Sequence, residues 1–147
     1  MISIDTNILF YSLNRDCPEH DRARRFVTEC TERADIAISE LVLLELYVLL
    51  RNPAIVSQPL DAADAVAACR PFRTHPHWAL IENAPIMSRV WTVAANADQP
   101  RRAVFDARIG YTLLHHGVQQ LATRNVKDFK GLGFERVFDP LVDDLNS

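Results

Sequence analysis

Five short apolar segments, 1–4 (MISI), 35–39 (DIAIS), 78–81 (WALI), 118–122 (VQQLA) and 136–138 (RVF), recur along the chain with helix-length stretches between most of them. Strands separated by helices build βαβ units and a mainly parallel sheet, whose right-handed crossovers cover both faces. The expected fold class is therefore α/β. A chain of 147 residues matches the size of one domain and can bury most of its apolar surface without disulfides, so 1–147 is read as a single domain.

Punctuation residues set the helices between these strands. Asp5-Thr6-Asn7 leads into the apolar Ile8–Tyr11 stretch, and Asp16 with Pro18 and Glu19 resembles a capping box before a stripe of Phe26, Val27 and Cys30. Ser39 is expected to cap a helix over 40–51, and Asp61 one over 61–72. Pro85 sits in the first turn of a helix read over 84–97. A helix over 103–116 stops at Gly117, and 123–127 reads as a polar turn.

The composition narrows the function classes. No apolar run approaches the roughly 18 residues that span a bilayer, and Asp5 and Asn7 fall where a secretory segment would be apolar. No membrane association and a cytoplasmic location are the expectations. Cys17, Cys30 and Cys69 form no Cys-x-x-Cys pair and read as small apolar residues. A net charge of −3 excludes a generally basic nucleic-acid binder, so any such contact must be a local patch.

In open parallel sheets, ligands bind at the carboxyl ends of the strands, and Asp5 stands at such an end. So does the 123–128 segment, while Asp106 lies early in the helix that feeds the strand before it. Glu45 interrupts LVLLELYVLL, a helix apolar on nearly every side, and such helices are buried. A buried carboxylate costs several kcal/mol unless a cation or a proton joins it. Singly, Asp5 is also a helix cap, Asp128 an Asx turn and Asp106 a surface charge. Together they suggest a shared site for a hard cation, Mg2+ or Mn2+, since no His or Cys accompanies them. Such a site suits in-line phosphodiester hydrolysis.

ISIDTNILFY, AISELVLLELYVLL and VFDARIGYTLLHHGVQQLATRNVKDF resemble the PIN-domain ribonucleases, VapC-type toxins above all, in the right order along the chain. The resemblance implies a PIN-like three-layer α/β/α sandwich with a mainly parallel sheet of four to five strands. It implies metal-binding acids at Asp5, Glu45, Asp106 and Asp128, with Asn125 as a polar neighbour able to replace the last, and Asn7 and Thr123 as supporting polar residues. It further implies cleavage of cellular RNA, inhibition of translation, a VapB-like antitoxin partner and a homodimer. Gly110 stands where relatives commonly carry Ala, expected to loosen one helix contact, and residues 52–84, which match least, read as a variable insertion.

Arg101, Arg102, Arg124, Lys127 and Lys130 are candidate RNA phosphate contacts near the expected rim. Stacking partners for bases are not identifiable, since Phe10, Tyr11 and Tyr47 sit in core-like segments. His75 and His77 lie in a Pro-broken loop without an acidic partner, His115 and His116 suit a helix C-terminus, and Glu40 suits an N-terminus. Two other readings compete. One is a catalytically inactive PIN-like module that binds RNA or protein. The other is a haloacid-dehalogenase-type phosphatase, which would need a second Asp where this chain has Asn7.

Overall fold

The computed structural model describes residues 1–146. In chain order the elements are β1 (Ile2–Ile4), α1 (Thr6–Leu13), α2 (His20–Thr31), β2 (Ile36–Ser39), α3 (Glu40–Leu50) and α4 (Ala62–Arg73). Then come β3 (Ala79–Ile81), α5 (Met87–Ala94), α6 (Ala103–His115), β4 (Gln120–Ala122), α7 (Val126–Phe129) and β5 (Arg136–Phe138). All five expected strands form, and every pairing is parallel, in the order β3-β2-β1-β4-β5. The central strand β1 aligns Ile2 with Ile36 on one side and Gln120 on the other.

From β1 the chain steps outward to β2 and β3, and then returns across β1 to β4 and β5. Right-handed crossovers therefore lay α1–α4 on one face and α5–α7 on the other. The packing agrees, with α1 against α2 and α3, α3 against α4, and α6 against α5 and α7. The chain reverses its direction of travel between β1 and β4, which opens a crevice at their carboxyl ends.

Ile4, Ile36, Ile38 and Leu121 are fully buried in the sheet, as the runs of apolar residues in parallel strands require. Ser3, alone polar in β1, is satisfied because its Oγ donates to the Ala37 carbonyl at 2.8 Å. Val42, Leu46 and Leu50 dock α3, and truncating Leu46 to Ala would cost about 2–5 kcal/mol. Among the described residues no buried side-chain nitrogen or oxygen lacks a partner, and no helix is long and apolar enough to cross a membrane.

Two capping expectations hold in detail. Ser39 accepts from the Leu41 N–H at 3.1 Å, and Asp61 from the Asp64 N–H at 2.8 Å. Gly117 closes α6 with φ +81°: its N–H reaches the Leu114 carbonyl and the Val118 N–H the Leu113 carbonyl, a Schellman ending. Other boundaries move. Asp16 caps nothing; its carboxylate accepts from Ser57 Oγ at 2.8 Å, and α2 begins only at His20. The helix read over 84–97 contracts to Met87–Ala94, and the polar turn over 123–127 runs into the short α7.

Residues 52–84 supply α4, packed on α3, and the edge strand β3. Gly110 does not loosen a contact: a Cβ there would stand 2.5 Å from Leu132 Cδ1, so the missing side chain admits a close approach. The cysteines are free, with Cys30 and Cys69 buried. His75 stacks on Trp78 at 4.6 Å, accepts at Nδ1 from the His77 backbone N–H, and meets the His77 ring edge to face at 5.9 Å.

Candidate active site

The crevice between β1 and β4 is where the acids gather. Asp5 leaves β1, bonds the Ala122 carbonyl through its own N–H at 2.9 Å, and caps α1. Its carboxylate is buried and accepts two bonds, from the Thr6 N–H at 2.8 Å and from Thr123 Oγ1 at 2.7 Å. Thr123 follows β4 and is itself fully buried, fixed by its N–H to the Phe138 carbonyl and by the Asn125 N–H, which donates to its hydroxyl at 3.0 Å. Thr6, which sequence reasoning passed over, carries the site onward: its hydroxyl donates to Glu45 Oε1 at 2.9 Å. Its only sequence signal is its place between Asp5 and Asn7.

Asp5, Thr6, Asn7, Glu45, Arg102, Asp106 and Asn125 line one open cleft of about 520 Å3. Glu45 comes from α3 and Asp106 from the first turn of α6, so the cleft draws on both helical layers. Asp128 lines a neighbouring cavity of about 460 Å3, which shares Asp106 and Arg102 with the cleft. Asn125 thus lines the cleft with Asp5 and Glu45, while Asp128 lines the cavity beside it and its charge reaches Asp5.

Burial pushes the Asp5 carboxyl up from 3.8 to about 6; the two hydrogen bonds pull it back, and the charges of Glu45 and Asp128 raise it further. Asp106 rises to about 6 as well, through burial first, then the charges of Asp5, Asp128 and Glu45, with Arg102 opposing. Repulsion among acids drawn from positions 5, 45, 106 and 128 thus adds to burial in raising both carboxyls.

The expected burial of Glu45 is corrected. Glu45 is exposed, and so are its neighbours Leu44 and Val48, because α3 buries one side only and leaves an apolar outer face. The desolvation cost that singled it out is absent in this chain; what commends Glu45 is its tie to Thr6 and its place in the cleft. Among the described residues no three His, Cys, Asp or Glu side chains converge into a ready-made cage. The donor set nonetheless fits a hard ion that keeps several waters and takes one or two carboxylates, as Mg2+ does.

The basic candidates separate. Arg102 lines the cleft, the cavity that holds Asp128 and a further one bordered by Glu45 and Phe105, with its guanidinium 5.4 Å from the Phe105 ring centre. Lys127 and Lys130 line the cavity that holds Asp128. Arg124 is engaged with Asp139 at 2.6 Å, and its backbone N–H donates to Asn7 Oδ1 at 3.3 Å. Arg101 is exposed and lines none of these cavities.

Comparison with known proteins follows the same outline. The family described as "PIN domain" matches residues 2–135. Ribonuclease VapC24 of Mycobacterium tuberculosis, in strains CDC 1551 / Oshkosh and ATCC 25618 / H37Rv, is 56% identical over 144 residues, covering 98% of this chain and 99% of the relative. Among solved structures, the sarcin-ricin loop cleaving toxin VapC20 of M. tuberculosis superposes with a TM-score of 0.69 at 18% identity, covering 91% of this chain and 96% of that one. FitAcB from Neisseria gonorrhoeae gives 0.63 at 18% identity, covering 97% and 100%. With its parallel five-stranded sheet, a family match over residues 2–135 and a relative 56% identical along nearly its whole length, the chain belongs to the PIN-domain family, in its VapC branch.

Proposed function

We propose that this protein is a Mg2+- or Mn2+-dependent endoribonuclease and the toxin of a toxin–antitoxin pair. The observation that carries the reading is the convergence of Asp5, Glu45 and Asp106 on one cleft, with Asp128 within electrostatic reach. Its relatives named as VapC ribonucleases support the choice of RNA as substrate.

One or two of Asp5, Glu45 and Asp106 would bind the ion directly and the others through its waters, with Asp128 or Asn125 completing its surroundings. When bound, the ion supplies an activated water and neutralises charge building on the phosphate. Thr123 and Thr6 fix the Asp5 carboxylate through its two oxygens, and Thr6 sets the reach of Glu45. Asn7, through the Arg124 N–H, ties the loop after β4 to the start of α1. Arg102, Lys127 and Lys130 neutralise substrate phosphates beside the acids, a sequence-independent contribution to affinity. No protein nucleophile is required.

Asn7 also weighs against the phosphatase reading, because a neutral amide that accepts a backbone N–H is no acid–base catalyst. An inactive module has no physical need for repelling acids in one cleft. The exposed apolar residues Leu44, Val48 and Phe105, at the mouth of the site, suit a protein partner; we assign to it a VapB-like antitoxin, and we expect a homodimer in the cytoplasm. The deciding experiment incubates purified protein with total RNA in Mg2+ or Mn2+, beside chelator and the Asp5→Asn variant. Cutting confined to metal-loaded wild type is the expected result; equal cutting in chelator or in the variant would overturn the mechanism.

A further inference from the structure

We propose that the cavity beside the acidic cleft seats one unpaired nucleotide of the RNA, the one adjoining the phosphate to be cut, with its base against Tyr111 and its base edge read by Asn96 and Gln99. The proposal rests on the nuclease reading above and adds where sequence preference would arise. The cavity measures about 460 Å3, lies between the α5–α6 connection and α7, and shares Asp106 and Arg102 with the cleft that holds Asp5 and Glu45. A strand whose phosphate lies over the acids therefore has this space directly beside it for its next sugar and base.

The lining has the chemistry to hold them. Tyr111 supplies an aromatic ring, fixed by the Arg89 guanidinium 4.0 Å from its centre. Unpaired bases are bound by stacking of this kind and by bonds to their edges. Asn96 and Gln99 bring amides that both donate and accept, and the Asn96 Oδ1 is anchored by the Asp98 N–H at 3.0 Å, which leaves its amide nitrogen for a ligand. Lys127 and Lys130 stand at the same cavity, where the following phosphate would pass. Phe10, in the hydrophobic core, offers no such surface.

Two measurements test the assignment. Cleavage of a randomised RNA pool in Mn2+ should show a base preference at one position beside the cut. The Asn96→Ala/Gln99→Ala double variant, altered at exposed positions that leave the core intact, should flatten that preference severalfold. Tyr111→Leu should weaken binding of a short oligoribonucleotide on the order of tenfold, with Tyr111→Phe close to wild type. Independently of cutting, the Asp5→Asn protein with Mn2+ should photo-crosslink short 4-thiouridine oligonucleotides at residues 96–99 or 111. Crosslinks there, beside a wild type that cuts no RNA in Mg2+ or Mn2+, would sustain the pocket while the nuclease reading fails. Crosslinks confined to other regions, or an unchanged base preference in the double variant, would overturn the pocket even if cleavage is robust.

Discussion

Thr6 binds the two arms of the acidic site to each other: its N–H donates to Asp5 Oδ1 at 2.8 Å and its hydroxyl to Glu45 Oε1 at 2.9 Å, across 39 residues of sequence. An exposed glutamate on a helix surface otherwise samples several rotamers, so this one bond pre-sets its reach into the cleft.

Replacing that hydroxyl should therefore affect chemistry more than folding. Thr6→Val is expected to lower the RNA cleavage rate about tenfold or more while costing about 0.5–1.5 kcal/mol of stability, the net worth of one hydrogen bond. Thr6→Ser should restore most of the rate. Single-turnover cleavage and urea melts measure the two effects, and a Thr6→Val protein as fast as wild type would show the link to be idle.

Asp5→Asn should remove activity and add stability. The Asp5 carboxyl titrates at about 6 in the fold against 3.8 as an ordinary carboxyl, so folding disfavours its charged form. Metal-free wild type thus gains stability below pH 4 and loses it as pH climbs towards 6. At pH 7.5 in chelator the variant should be more stable by up to about 3 kcal/mol, a rise of several degrees in Tm. Near pH 4 the two proteins should melt together, and coincident melts at pH 7.5 would contradict the electrostatic account.

Metal and protons should compete for the same oxygens. Asp5 and Asp106 both titrate at about 6, so the rise in Tm produced by a fixed Mn2+ concentration should shrink as pH falls from 8 to 5. Thermal scans across that range report it directly. A constant metal-induced rise at every pH would place the ion elsewhere.

Thr123 offers the converse test. It is buried and donates to Asp5 at 2.7 Å, so Thr123→Val leaves a buried carboxylate oxygen unpaired, at a cost of about 1–3 kcal/mol. Loss of that donor also pushes the Asp5 carboxyl higher, and the pH at which cleavage switches on should move upward. A pH–rate profile identical to wild type would rule out the orienting role of Thr123.

The sheet was legible because each strand is a short apolar run closed by a capping or turn residue, as at Ile38-Ser39 and Ala122-Thr123. Asp16 misled because the chain at 14–19 folds back on itself: His20 Nδ1 meets the Tyr11 carbonyl at 2.8 Å, so the helix starts later than Pro18 suggests. The four residues of α7 are too few to carry a period. Glu45 was located for a reason that fails, since an all-apolar helix records which faces need covering and not whether its own chain covers them. Thr6 and Tyr111 were invisible as site residues because their roles depend on what lies across the cleft, and nothing local in the sequence encodes that.

The position of β1 carries a cost for tolerance to change. Three residues, all paired with β4 and the first two also with β2, fix which way Asp5 leaves the sheet. Because side chains alternate faces, sliding this strand by one place would reverse its inward residues and swing the acid off its threonine donors. Lengthening the chain by a single amino acid within 2–4 should therefore be ruinous, whereas an extra residue among the exposed positions 57–59 should pass almost unnoticed.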